Sequence, residues 1–136
     1  GERAFSGCSG LTSIIVEEAN QTYDSRNNCN AIIETETNTL IVGCKSTVIP
    51  NSVESIGERA FMGCATLTSV TIPQTIKEIG LRAFDDCTSI TSVVWNAQHC
   101  NDFLYDYNSL MDTITYVAKH RNNYECYSYH HSFAKY

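Results

Sequence analysis

The stretch of sequence that decides the fold is residues 57–79, which read GERAFMGCATLTSVTIPQTIKEI. Residues 80–102 follow with GLRAFDDCTSITSVVWNAQHCND, so the second unit starts 23 residues after the first. The chain also opens with a third copy, GERAFSGCSGLTS, which matches residues 57–69 at 10 of 13 positions. Similarity at a fixed period of this length is typical of repeat proteins, in which each unit stacks on the next and shares its core.

Apolar residues recur at fixed positions within each unit. Leu67, Val70 and Ile72 follow the spacing L-x-x-L-x-L, and the last two share one face of a short strand because side chains alternate along a strand. Ile76 and Ile79 are expected to point inward on the return path, and each Ala-Phe pair is expected to form the opposite wall and to stack on the next pair. The equivalent positions are Leu11, Ile14 and Val16; Ile90, Val93 and Trp95; Ala4 and Phe5; Ala60 and Phe61; and Ala83 and Phe84.

Glycine and proline mark the ends of the units. Gly57 and Gly80 begin the units, where the turn is expected to use the positive φ that glycine tolerates. Pro50 and Pro73 are expected to follow strands and to end them, because proline cannot donate a ladder hydrogen bond.

Residues 24–56 break the period. Two strand-like runs, residues 31–34 and 39–42, flank the sequence TETN and predict a β-hairpin. Residues 40–56, which read LIVGCKSTVIPNSVESI, resemble a shortened unit, so the interrupted repeat is expected to rejoin the stack at about residue 40.

The C-terminal segment, residues 103–136, loses the pattern and holds seven of the eight tyrosines. Ile114, Tyr116 and Val117 predict one more strand. The other aromatic residues either cover the open end of the stack, as an atypical terminal repeat does, or form an aromatic platform for a sugar or protein partner.

Composition limits the classes of function. Apolar residues make up 43% of the chain, which is typical of a folded domain. The net charge of −6 provides no basic stripe to neutralise phosphates, so a nucleic-acid partner is not expected. No apolar run approaches the roughly 18–20 residues that span a bilayer, so this stretch of chain predicts no transmembrane segment.

The unit IGERAFMGCATLTSVTIP at residues 56–73 resembles the BspA-type leucine-rich repeat of bacterial surface and secreted proteins, including those of Bacteroides-like organisms. The interrupted segment, residues 23–57, is also similar to segments of such proteins, and the resemblance covers about residues 1–103. It implies an extracellular or cell-surface location, adhesion to host matrix proteins or to other cells, and no catalytic residues.

The predicted architecture is a leucine-rich-repeat solenoid of the α/β class, β-rich, with right-handed coils of about 23 residues and a β-hairpin insertion. One domain is expected over residues 1–136, with an irregular repeat at 24–56 and an atypical segment or cap at 103–136. Because the chain begins inside a repeat, it is expected to be a fragment of a longer protein.

The seven cysteines suggest chemistry but have a simpler interpretation. Cys8, Cys64 and Cys87 recur at one repeat position, with Cys44 as the counterpart in the interrupted unit, and are predicted to be buried thiols that pack as small apolar groups. Cys29, Cys100 and Cys126 fall outside this series, and a disulfide between Cys100 and Cys126 is possible in an oxidising compartment. The odd total leaves at least one thiol free or paired between chains.

Metal binding and catalysis are sharper interpretations of the cysteines and histidines. His99, Cys100, Cys126 and His130 could form a zinc site, but their spacing lacks a C-x-x-C pair. A catalytic Cys–His pair would need an exposed cysteine beside a base, whereas all histidines lie at residue 99 or later. No phosphate-binding glycine loop or serine nucleophile motif is present. We therefore expect a protein that is not an enzyme and has no metal, catalytic site or cofactor.

The triplet NQT at residues 20–22 matches an N-glycan acceptor, which matters only in a eukaryote.

The sequence therefore predicts a protein-binding module. The alternative is a structural spacer or end cap in a larger surface protein whose binding activity lies elsewhere. Open solenoid edges also predict self-association, because they expose unpaired backbone groups. The candidate binding face consists of the outward positions of the stacked strands: Ser13, Ile15, Val48, Ser69, Thr71, Ser92 and Val94.

Overall fold

The structure is a computed structural model that describes residues 4–5 and 7–98 and the backbone of residues 114–116. These residues form short β-strands and a single-turn 3-10 helix at Arg26–Asn28. The strands are β1 (Tyr23–Asp24), β2 (Ile32–Glu34), β3 (Thr39–Val42), β4 (Ser55–Ile56), β5 (Ser69–Ile72), β6 (Glu78–Ile79), β7 (Ser92–Trp95) and β8 (Ile114–Tyr116).

The strands form two sheets whose pairing follows the sequence repeat. One sheet has the order β1-β2-β3-β4-β6, and the other has the order β5-β7-β8. The pairs β3–β4, β4–β6, β5–β7 and β7–β8 are parallel. Ser69 lies opposite Ser92, and Ser55 lies opposite Glu78, so both pairs are 23 residues apart in sequence. Equivalent positions of successive units therefore lie side by side, as expected of a β-rich repeat fold.

The alternation predicted for the strands is confirmed. In β5, Val70 and Ile72 are buried while Ser69 and Thr71 are exposed. Burial of a side chain of this size stabilises the fold by roughly 1.5–3 kcal/mol. The predicted inward positions in the second and third units are all buried: Leu67, Ile76, Ile79, Ile90, Val93 and Trp95.

The predicted hairpin is also confirmed. Strand β2 pairs antiparallel with β3, and the turn joining them contains Asn38 with a φ of 55°. Leu40 of β3 then lies opposite Ile56 of β4 in a parallel ladder, so the chain rejoins the stack at residue 40, as expected. Strand β1 extends the hairpin by an antiparallel pairing of Tyr23 with Glu34, which two residues of sequence are too short to predict.

Two phenylalanine rings form the inner wall. Phe61 and Phe84 stack face to face, with ring centroids 4.9 Å apart and planes inclined by 6°. The centroid distance matches the 4.7–4.9 Å separation of neighbouring strands, because each ring belongs to one unit. The ring of Phe61 also lies against Gly43, where a Cβ atom would come within 2.1 Å of the ring. Gly43 therefore leaves the space that the Phe61 ring occupies.

The first copy of the repeat does not follow its prediction. Ala4, Phe5 and Cys8 are exposed, and Phe5 lies outside the ring stack with 46% of its surface exposed. Residues 11–18 form no strand, and Leu11 is only half-buried.

The physical reason lies in the neighbours of this copy. The N–H groups of Ile14 and Val16 donate to the side chains of Asn30 and Ser25 rather than to a strand. The interrupted repeat thus offers side-chain oxygens to these N–H groups in place of the backbone carbonyls of a strand partner. Without that partner the first copy leaves its apolar residues only partly covered.

The glycine prediction is wrong in its cause. Gly57 and Gly80 do not have a positive φ. A Cβ atom at Gly80 would lie 2.5 Å from the Glu58 nitrogen, so this position needs glycine for close approach of two backbones. Positive φ occurs instead at Gly63 and at its equivalent Asp86, with values of 77° and 57°.

Candidate binding surface

A groove beside strand β5 is lined by three of the predicted binding residues. It lies between residues 47–51 and strand β5 and has a volume of about 440 Å³. Val48 borders it from one side, and Ser69 and Thr71 border it from the other. Val48 is not in a strand, contrary to the prediction, and 74% of its surface is exposed. Pro50 correspondingly ends no strand, whereas Pro73 directly follows β5.

Two further predicted residues continue this surface on β7. Ser92 lies opposite Ser69, and Val94 lies opposite Thr71. Both are half-buried. Strand β8 pairs with β7 on its other side and confirms the predicted strand at Ile114 and Tyr116, while Val117 lies outside the described residues. These residues of β5 and β7, together with Val48 across the groove, are referred to below as the ladder surface: Val48, Ser69, Thr71, Ser92 and Val94.

Ser13 and Ile15 are exposed but lie outside the ladder surface. No strand includes them, and Asn30 lies between their segment and residue 47. The Asn30 side chain accepts a hydrogen bond from the Ile14 N–H at 3.4 Å, and the Asn30 carbonyl accepts one from the Thr47 hydroxyl at 2.6 Å. Ile15, with 82% of its surface exposed, borders a second groove of about 500 Å³. The structure therefore divides the predicted face into two neighbouring surfaces.

The second groove contains an ion pair that sequence reasoning missed. Arg26 donates to both carboxylate oxygens of Asp24, at 2.8 and 2.7 Å, and to Asn38 Oδ1 at 2.8 Å. The hydrogen bond from Arg26 lowers the pKa of Asp24 below its usual value. Such a bidentate pair fixes geometry. The only sequence signal for this ion pair is the D-x-R spacing, which is too common to be informative. Because Arg26 connects Asp24 with Asn38, we assign the ion pair the role of holding the interrupted repeat in place.

Asn20 of the NQT triplet lines the same groove. Asn20 is exposed, and its side-chain oxygen accepts the N–H groups of Thr22 and Tyr23, both at 2.9 Å. The amide therefore closes a local turn of the backbone.

The cysteine prediction holds for three of its four members. Cys44, Cys64 and Cys87 are buried, while Cys8 is exposed because the first copy is not covered. The Cys87 thiol donates to the Phe61 carbonyl at 3.1 Å, and the Cys64 thiol donates to the Gly43 carbonyl at 3.8 Å. These thiols thus connect neighbouring units inside the core.

Burial also affects the chemistry of the Cys29 thiol. Cys29, which lies outside the repeated series, is buried, and burial raises its pKa. Such thiols are poor nucleophiles because the reactive thiolate is disfavoured. The predicted zinc and disulfide partners, His99, Cys100, Cys126 and His130, lie outside the described residues. Within the part of the chain that the structure describes, no three His, Cys, Asp or Glu side chains are grouped as metal ligands would be.

Stability is expected to fall as the pH rises from about 9 to about 11. Burial raises the pKa of Cys64 from 9.0 to about 11, so in this window the unfolded chain releases a proton that the folded chain retains. Urea denaturation at pH 8, 9, 10 and 11 measures the decline. The Cys64→Ala variant should lose less stability across the same window. An equal decline in both proteins would show that other groups cause it.

Comparison with protein families identifies the repeat. A family model described as BspA type Leucine rich repeat region matches six copies over residues 32–132. This range covers more than half of the chain, so the chain belongs to the BspA-type leucine-rich-repeat family. No curated protein and no solved structure matches.

The matched range differs from the resemblance seen in the sequence. It extends into the tyrosine-rich segment, where the repeat pattern fades, and it leaves out the first 31 residues.

Families of leucine-rich repeats act as protein-interaction modules rather than enzymes. Among the described residues, no helix is long and apolar enough to cross a membrane.

Proposed function

We propose that the chain forms part of a right-handed solenoid with coils of about 23 residues and that the ladder surface binds a protein ligand. The observation that carries the proposal is the exposure of Val48 beside Ser69 and Thr71 along one groove. Small polar side chains let a partner approach the sheet closely, and Val48 adds apolar contact. Repeat proteins commonly bind ligands through such extended surfaces.

The partner class follows from family membership. We propose that the ligand is a host or extracellular matrix protein, or a protein on another cell, and that the parent protein is secreted or displayed on a cell surface. The ladder surface contains no charged side chain among its five residues. Recognition would then depend on shape, apolar contact and hydrogen bonds, and would respond weakly to salt.

Replacing both Thr71 and Val94 with arginine is expected to reduce ligand affinity at least tenfold. The two arginine side chains would cover the ladder surface, and binding would bury their charges and remove their hydration, which is unfavourable. The measurement is surface plasmon resonance of the chain over immobilised fibronectin, laminin and collagen as representative matrix proteins. The matched control carries Ala19→Arg and Thr88→Arg, which add the same charge at exposed positions outside the ladder surface. Circular dichroism verifies that both variants are folded.

The outcomes separate a binding module from a structural spacer. Loss of binding in the first variant alone supports the ladder surface. Equal affinity of both variants would contradict it. If the chain binds none of these proteins while its longer parent does, the chain is a spacer and the binding activity lies elsewhere.

A further inference from the structure

Among the residues that the structure describes, strand β5 has one edge without a strand partner. It is the terminal strand in the order β5-β7-β8, and on its other side residues 47–51 form no strand. The Ile72 carbonyl accepts the Asn96 N–H at 2.8 Å on the β7 side. Because alternate residues of a strand direct their backbone groups to opposite sides, the N–H and C=O groups of Ser69 and Thr71 point away from β7 and toward the groove.

The opposite wall of the groove does not satisfy these backbone groups. The N–H of Val48 donates to the Cys29 carbonyl at 3.1 Å, and the N–H of Thr47 donates to the Cys44 carbonyl at 3.1 Å. Both bonds stay within the interrupted repeat. Within residues 4–5 and 7–98, no backbone hydrogen bond joins residues 47–51 to β5. The parallel ladder that joins β5 to β7 and β8 therefore does not continue to residues 47–51.

The lining of the groove restricts the chemistry of an occupant. None of its side chains is ionisable, and its deepest apolar residues, Ile49 and Val70, are 9% and 8% exposed. Asn96 lines the same groove, and its Oδ1 atom is buried without a hydrogen-bond partner among the described residues. A buried acceptor left unsatisfied costs about 1–3 kcal/mol. An uncharged occupant that supplies N–H donors would match this lining.

We propose that the groove binds an extended peptide segment, which adds as a strand to the free edge of β5. The segment is uncharged for about four residues, the length of β5, and has small side chains at the alternate positions that face Ile49 and Val70. Main-chain hydrogen bonds to Ser69 and Thr71 supply affinity, and the small side chains supply specificity, as in other strand additions. This inference rests on the proposed function, because it assigns a binding mode to the ladder surface.

The test uses an acetylated and amidated hexapeptide that alternates alanine and threonine, with the whole 136-residue chain. At millimolar peptide, amide hydrogen exchange measured by NMR should slow at least tenfold at Ser69 and Thr71. The amides of Val70 and Ile72, which face β7, should change little. Absence of any change at Ser69 and Thr71 would overturn the proposal.

Modified peptides provide a control that does not alter the protein. Hexapeptides can be methylated on either of two alternating sets of backbone nitrogens. Methylation of one set removes the N–H groups that would face β5, and methylation of the other set removes those on the opposite edge. Peptides methylated on the first set should bind at least tenfold more weakly, while those methylated on the opposite edge should bind as the parent does. Equal binding of both sets would contradict strand addition.

A protein variant tests the same edge from the other side. Thr71→Pro removes the N–H that faces the groove and leaves the β5–β7 ladder intact, since proline is tolerated at an unpaired strand edge. It should abolish peptide binding, while Thr71→Val retains it.

If the peptide does not bind but matrix proteins still bind and respond to Val94→Arg, the strand-addition mode fails and the proposed function stands. If the matrix proteins also fail to bind, the proposed function fails too.

Discussion

Replacing Phe61 with alanine is expected to lower the free energy of unfolding by about 3–5 kcal/mol. Phe61 is fully buried, and its ring lies between the ring of Phe84 and the backbone at Gly43. Removing the ring leaves a cavity bounded by both neighbours. The backbone is restrained from closing it, because the Phe61 N–H donates to the Ala83 carbonyl and the Gly43 N–H donates to the Ala60 carbonyl. Urea denaturation followed by the fluorescence of buried Trp95 measures the change.

The repeat provides a matched control for this prediction. Phe5 occupies the same position of the sequence motif but is nearly half exposed and outside the ring stack. Phe5→Ala should change the free energy of unfolding by less than about 1 kcal/mol. If the two substitutions have equal costs, the first copy is packed as the others are, and the assignment of Phe5 to the surface is wrong.

Replacing Gly43 with alanine is expected to lower the free energy of unfolding by about 1–3 kcal/mol, although it adds a single methyl group. That methyl group would lie 2.1 Å from the Cε1 atom of Phe61 and 2.4 Å from its Cζ atom. The ring cannot move away because Phe84 stacks on its other side. The cost therefore comes from overpacking, and it is measured by the same urea denaturation.

A double substitution distinguishes overpacking from a local effect on the backbone. In a Phe61→Ala background, Gly43→Ala should cost much less than in the parent chain, because the clashing ring is gone. Gly10→Ala serves as the control, since a Cβ atom there would meet no atom within 4 Å. An unchanged cost of Gly43→Ala in the double variant would show that the backbone at residue 43 requires glycine.

Much of the fold could be predicted because the repeat is local and periodic. The spacing of Val70 and Ile72 is enough to place them on the inner face of a strand, and the 23-residue period is enough to align Ser69 with Ser92. The hairpin was predictable from two strand-like runs around a short polar turn. In each case the deciding information lies within about one repeat of sequence.

The first copy shows why such prediction fails elsewhere. Ten identical residues in 13 predict the same structure for residues 1–13 and 57–69, yet Phe5 and Cys8 are exposed while Phe61 and Cys64 are buried. Burial of a repeat depends on its neighbours, and the neighbours of the first copy include the interrupted segment. The motif describes one unit and contains no information about the unit beside it.

The candidate site was predictable only in part for a similar reason. Alternation along β5 predicts that Ser69 and Thr71 point outward, and they do. The groove itself depends on the path of residues 47–51, which follow an irregular unit and form no strand. The second groove depends on Arg26, whose partners at residues 24 and 38 come together only after the hairpin has formed.

The contact between the first copy and the second unit has a consequence for the order of folding. The Gly7 N–H donates to the Met62 carbonyl, and the Thr66 hydroxyl donates to the Ser9 carbonyl across 57 residues of chain. Most other pairings join residues about 23 apart or fewer, and the entropy of closing a loop grows with its length. We therefore expect residues 7–9 to dock after the rest of the stack has assembled and to detach early when the protein begins to unfold.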